Sequence, residues 1–122
     1  ESFTHYLFTE MLIPSQRKIL FENVELDMVI PNSDQLQKNN HNAIVIFFVK
    51  TSDHTQIEHR IQEIKKIQSD DSNIWVISKD NLRIPQSTYT IEKESFGQFL
   101  KDAQNFIKLK KINKLNIFKT KP

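Results

Sequence analysis

Glu10, Asp27 and Lys50 are residues whose types could support hydrolysis if a fold brought them together. Two carboxylates can hold a hard divalent cation through oxygen ligands, and a lysine beside them can orient an attacking water. The competing reading is structural: Asp27 as a solvent-facing strand residue and Lys50 as the charge on which a core strand leaves the interior. Other chemistries fall away quickly. The chain has no Cys, which removes disulfides, thiolate catalysis and cysteine-based zinc sites. A single Gly leaves no material for phosphate-cradling loops, dinucleotide fingerprints or a nucleophile elbow, all of which need several. His54 and His59 are five residues apart, so on one helix they point about 140° away from each other, wrong for a shared metal ion.

The elements that must position these residues can be read from hydrophobic period. The 122 residues, 38% apolar and with net charge +2, suffice for one α/β domain, and no apolar run approaches the roughly 18 residues of a membrane span. Phe3, Leu7 and Met11 would line one face of an opening helix over residues 1–12. Two β-rich runs follow at 18–24 and 25–31, either a bent strand or a pair, and then a polar stretch at 32–42 predicts a surface loop or short irregular helix. Residues 43–49, Ala-Ile-Val-Ile-Phe-Phe-Val, form a continuous run typical of a strand covered on both faces.

A Thr55–Glu58 capping box precedes Ile57, Ile61, Ile64 and Ile67, which predicts a helix packed on that strand, and residues 74–78 give a second buried strand. Strand, helix, strand at this spacing predicts a parallel βαβ unit. Trp75 lies inside the second strand, a core residue whose indole N–H needs one partner. A short edge strand is expected within 83–91. A Ser95–Gln98 capping pattern then opens a helix whose stripe is Phe96, Phe99, Leu100, Ala103, Phe106 and Ile107. So aromatic a helix belongs to the core first, yet Phe96, Phe99 and Phe106 could also face a partner subunit.

Charge is unevenly spread. Residues 1–100 hold 10 basic against 14 acidic side chains, whereas residues 101–122 hold seven Lys against Asp102 alone. Lys108, Lys110, Lys111, Lys114, Lys119 and Lys121 thus make a basic tail over 108–122. It can attract a phosphate backbone by counterion release, or serve only to solubilise a helix end and offset its dipole.

A helix with Glu10, a strand with Asp27 and a core strand ending in Lys50 follow the order of the PD-(D/E)xK nuclease fold. More narrowly, the segments 23–31, 43–49 and 54–62 resemble the central domain of the non-catalytic partner in the XPF family of structure-specific endonucleases. Catalytic members of that family carry Gly-Asp-x(n)-Glu-Arg-Lys-x-x-x-Asp. Here Leu26 stands for the Gly, Asp27 is kept, Phe48 and Val49 replace Glu-Arg, Lys50 is kept, and His54 takes the place of the last Asp. A phenyl ring cannot ligate Mg²⁺.

The resemblance implies a degenerate restriction-endonuclease-like domain over 1–107, a central mixed sheet flanked by helices, with Asp27 and Lys50 as relics and with no catalytic residue, metal or cofactor. It also implies an XPF-like protein partner in a heterodimer, branched DNA as the ligand held by the tail lysines, helix-hairpin-helix repeats after the central domain, and a nuclear setting in repair or, on a divergent fungal branch, meiotic crossover recombination. Two other readings stay open. One is an active metal-dependent junction nuclease that recruits Glu63 as its second carboxylate; the other is a protein-interaction module that never touches DNA.

Overall fold

The computed structural model describes residues 2–120 and the side-chain surroundings of residues 2–110, and its α-helices and β-strands follow in chain order. They are α1 (Ser2–Glu10), β1 (Gln16–Phe21), β2 (Val24–Ile30), α2 (Ser33–Lys38), β3 (Ile44–Phe48), α3 (His54–Lys65), β4 (Ile74–Ser78), β5 (Ser87–Thr90) and α4 (Lys93–Thr120). The strands lie in sequence order in one sheet; β1, β2 and β3 pair antiparallel, and β3, β4 and β5 pair parallel. The chain is therefore an α/β protein with a mixed five-stranded sheet flanked by helices, as the periodicity predicts.

Alternation along the strands sorts the core into two faces. Ile44 and Ile46 of β3 join Met28, Ile30, Trp75 and Ile77 under Phe8 of α1 and Phe99, Ala103 and Ile107 of α4. Val45 and Phe47 join Val29 and Val76 under Leu36 of α2 and Ile57, Ile61 and Ile64 of α3. Both faces of β3 and β4 are buried, which is why those strands read as unbroken apolar runs. Trp75 is core, and its indole N–H donates to the Ser72 carbonyl at 3.0 Å. In α1, Thr4 and Phe8 are the buried positions, while Phe3 is exposed and Leu7 and Met11 are half-buried. The face that enters the core runs through Thr4 and Phe8; of the 3,7,11 stripe, Met11, just past the helix, packs on the margin of that core.

Three local expectations need correction. The β1–β2 pair turns at Glu22–Asn23, both at positive φ (49° and 66°), so the strands run 16–21 and 24–30 rather than 18–24 and 25–31. Such a two-residue turn matches the twist of a hairpin, and Asn tolerates the left-handed region. Helix α3 is capped by Asp53, whose carboxylate accepts from the Thr55 N–H at 3.0 Å, not by Thr55. Ser95 sits inside α4, and its hydroxyl accepts from Thr90 N–H at 2.8 Å, tying the helix start to β5 instead of capping it.

One further bond fixes α4 on the sheet edge. The Tyr89 hydroxyl donates to Asp102 Oδ2 at 2.7 Å, while Gln98 holds the other carboxylate oxygen at 2.8 Å. Burial first, then the Asp102 hydrogen bond and charge, push the Tyr89 phenol well above its ordinary value. As pH rises past about 10 the unfolded chain releases this proton while the folded one keeps it, so stability falls from that pH upward. Urea unfolding at pH 9 to 11 should show this decline in the parent and a shallower one in Tyr89→Phe.

Candidate functional site

Between Arg17 and Ile19 the β1 ladder breaks, because Lys18 adopts a positive φ of 51° and forms no register pair with Asp27 opposite. The break changes which way β2 faces: Met28 and Ile30 enter the α1–α4 side, whereas Leu26 enters the α2–α3 side. On the other edge of β2, pairing with β3 ends at Met28 opposite Ile46. Asp27 occupies this junction. Its Oδ2 accepts from the Phe48 N–H at 2.9 Å, so a side-chain oxygen continues the ladder where the strand backbone leaves it.

Around the same carboxylate sits Arg60 of α3. Its guanidinium donates to the Glu25 carbonyl, lies 4.0 Å from Asp27 Oδ1 and 3.7 Å from Glu63 Oε2, and stacks 5.9 Å from the centre of the Phe47 ring. Arg60 thereby ties α3 to β2 and supplies positive charge where a cation would otherwise compensate Asp27. Glu63 is engaged by Arg60 and by His59 at 3.4 Å.

A cleft of about 250 Å³ is lined by Asp27 and Lys50 together with Lys18 and Glu25. The structure thus brings Asp27 and Lys50 to one place. It does not bring Glu10 there: that side chain is exposed at the end of α1 and forms no part of the cleft lining. Phe48 packs against the α1–α4 core. Among the described residues, no group of three His, Asp or Glu could share a metal ion, and no helix is long and apolar enough to cross a membrane.

The remaining candidates are dispersed. Phe99 is wholly buried in this chain's own core, so it offers no surface to a partner; Phe96 and Phe106 are half-buried at the core margin. Lys108 is exposed, and the Lys110 ammonium lies 5.4 Å from the centre of the Phe106 ring. The side chains of Lys111, Lys114 and Lys119, and all of Lys121, lie outside the described residues. The α4 helix passes from 107 into 108 without a break, so the basic segment begins as its continuation. Periodicity missed a second, larger crevice at the ends of β3 and β4, where His54 lies. Two adjacent parallel strands were the available signal, since ligands in open α/β sheets bind beyond their carboxyl ends.

Compared with family models, curated proteins and solved structures, the chain matches none.

Proposed function

We propose that this chain is a catalytically dead, restriction-endonuclease-like subunit that pairs with an XPF-like protein and binds branched DNA in recombination or repair within the nucleus. The observation that carries the reading is the use made of Asp27: its carboxylate holds the Phe48 amide and faces Arg60, so it closes a sheet junction. A metal ion at Asp27 would have to share the carboxylate with those contacts, and the side chain two positions before Lys50 is the phenyl ring of Phe48, which offers a cation no ligand. The element order also supports it. A helix, three antiparallel strands, a crossover helix and a parallel strand make up the order expected of that nuclease fold.

The shared cleft of Asp27 and Lys50 favours a second reading, an active metal-dependent nuclease. One experiment separates the two. The chain, alone and paired with an XPF-like subunit, is titrated onto branched and linear duplexes across a salt series with Mg²⁺ or Mn²⁺, and the products are run on a denaturing gel. The pair should prefer the branch and leave the strands intact. Strand cleavage by the chain alone, abolished in Asp27→Ala, would overturn the proposal, and binding that ignores both salt and branch would point to a protein-interaction module.

A further inference from the structure

The parallel half of the sheet ends in a crevice of about 460 Å³, within the range of pockets that enclose small organic ligands. Its apolar floor is built from Val49 after β3, Ile57 of α3 and Leu82 after β4. The rim is polar. Lys79 and Asn81 come from the loop after β4, His54 from the first turn of α3, and Lys50 from the end of β3, where it also lines the Asp27 cleft.

Three polar side chains of the lining are uncommitted. Among the described residues, Lys79, His54 and Asn81 make no ion pair or side-chain hydrogen bond. Other polar atoms of the lining are occupied: the Thr51 hydroxyl accepts from Asp53 N–H at 3.1 Å, and the Ser78 hydroxyl donates to the Asp80 carbonyl. Acidic groups are few. Asp80 lies on the rim, Glu58 lines only the adjoining crevice, and the Asp53 carboxylate is turned to the Thr55 amide. An ammonium, an imidazole and an amide above an apolar floor suit a ligand with a flat apolar body and a compact anionic end, and a phosphate uses such donors better than a carboxylate because it presents more oxygens and charge.

We infer that this crevice binds the phosphomonoester of a nucleotide, with phosphate toward Lys79 and His54 and base over Val49, Ile57 and Leu82. The nucleotide is either free or the 5′-terminal residue of a DNA strand; the shared chemistry is the same. The inference goes beyond the branched-DNA reading and stands without it, since a mononucleotide has no branch.

The test is an amide NMR titration of the full chain with AMP, adenosine, inorganic phosphate, and a short oligothymidylate with or without a 5′-phosphate. AMP should move the amides of residues 49–52 and 79–82 saturably and bind more tightly than adenosine or phosphate alone. Lys79→Ala should weaken AMP about tenfold, the loss of one charge-assisted hydrogen bond, and Lys79→Arg should restore most of it. Lys79 is exposed, so an unmoved Trp75 indole signal will show that the fold is intact. An oligonucleotide response that requires the 5′-phosphate assigns the site to strand ends, and an AMP response without one assigns it to a free nucleotide; both support the inference. Absence of saturable movement in these amides with every phosphate probe overturns it, as does an AMP response that Lys79→Ala and His54→Ala leave unchanged.

Discussion

Phe99→Ala should lose about 3–5 kcal/mol of folding stability, the range for removing a large buried aromatic side chain. Phe99 is fully buried and touches four rings at once: Phe8 at 5.6 Å between centroids, Tyr89 at 5.3 Å, Phe96 at 5.4 Å and Trp75 at 6.1 Å. It is the residue through which α1, β4, β5 and α4 meet, so little around it can collapse into the vacated space. Against a total stability of about 5–15 kcal/mol for an ordinary domain, such a loss leaves a large unfolded fraction in mild urea. Urea melts followed by Trp75 emission give the measurement, because Trp75 borders the cavity directly. A change below about 1 kcal/mol would mean that α4 contributes little to the core.

This placement also alters how a partner interface can be probed. Phe99→Asp would unfold the chain, so a loss of association in that variant would not report on any surface. Phe96 and Phe106, half-buried at the core margin, are the aromatic positions on α4 where a substitution can report on association.

The parts of the fold that were legible in the sequence are those governed by side-chain period. Ile57, Ile61 and Ile64 repeat at helical spacing, residues 74–78 form an unbroken buried run, and both elements lie where that pattern puts them. Backbone geometry was less visible because the chain has only one Gly, which sits in α4. Its left-handed positions fall instead on Leu12, Lys18, Glu22 and Asn23, residue types that, Asn apart, announce no turn. A hairpin read from side-chain period therefore falls two residues past the turn at Glu22–Asn23, and no residue type marks the break at Lys18. Asp27 depends on that break. Sequence order suggests that Asp27 and Lys50 belong together, and they do line one cleft, but the carboxylate's bond to the Phe48 amide arises where the β1–β2 ladder skips a pair and the β2–β3 ladder has just ended at Met28. The caps differ for a related reason: the Asp53 carboxylate takes the Thr55 N–H at the start of α3, whereas the Ser95 hydroxyl, inside α4, is taken by the Thr90 N–H of β5, so the spacing of a Ser or Thr from Glu or Gln marks neither helix start.

If the basic end of α4 tracks a DNA backbone, replacing Lys108, Lys110, Lys111 and Lys114 together by Ala should make the dependence of log affinity on log salt shallower by about 3.6 units, since each neutralised phosphate contributes about 0.9. The effect should be equal on branched and linear duplexes, because phosphate contacts position a protein without reading sequence or junction. At low salt this amounts to a loss of several orders of magnitude in affinity. Lys108 is exposed and Lys110 rests on the Phe106 ring, so neither supports the core. An unchanged salt slope would remove these lysines from the DNA surface and leave them the work of keeping a long helix soluble and offsetting its dipole. A loss confined to branched DNA would place the segment at the junction itself, a contact that charge alone does not provide.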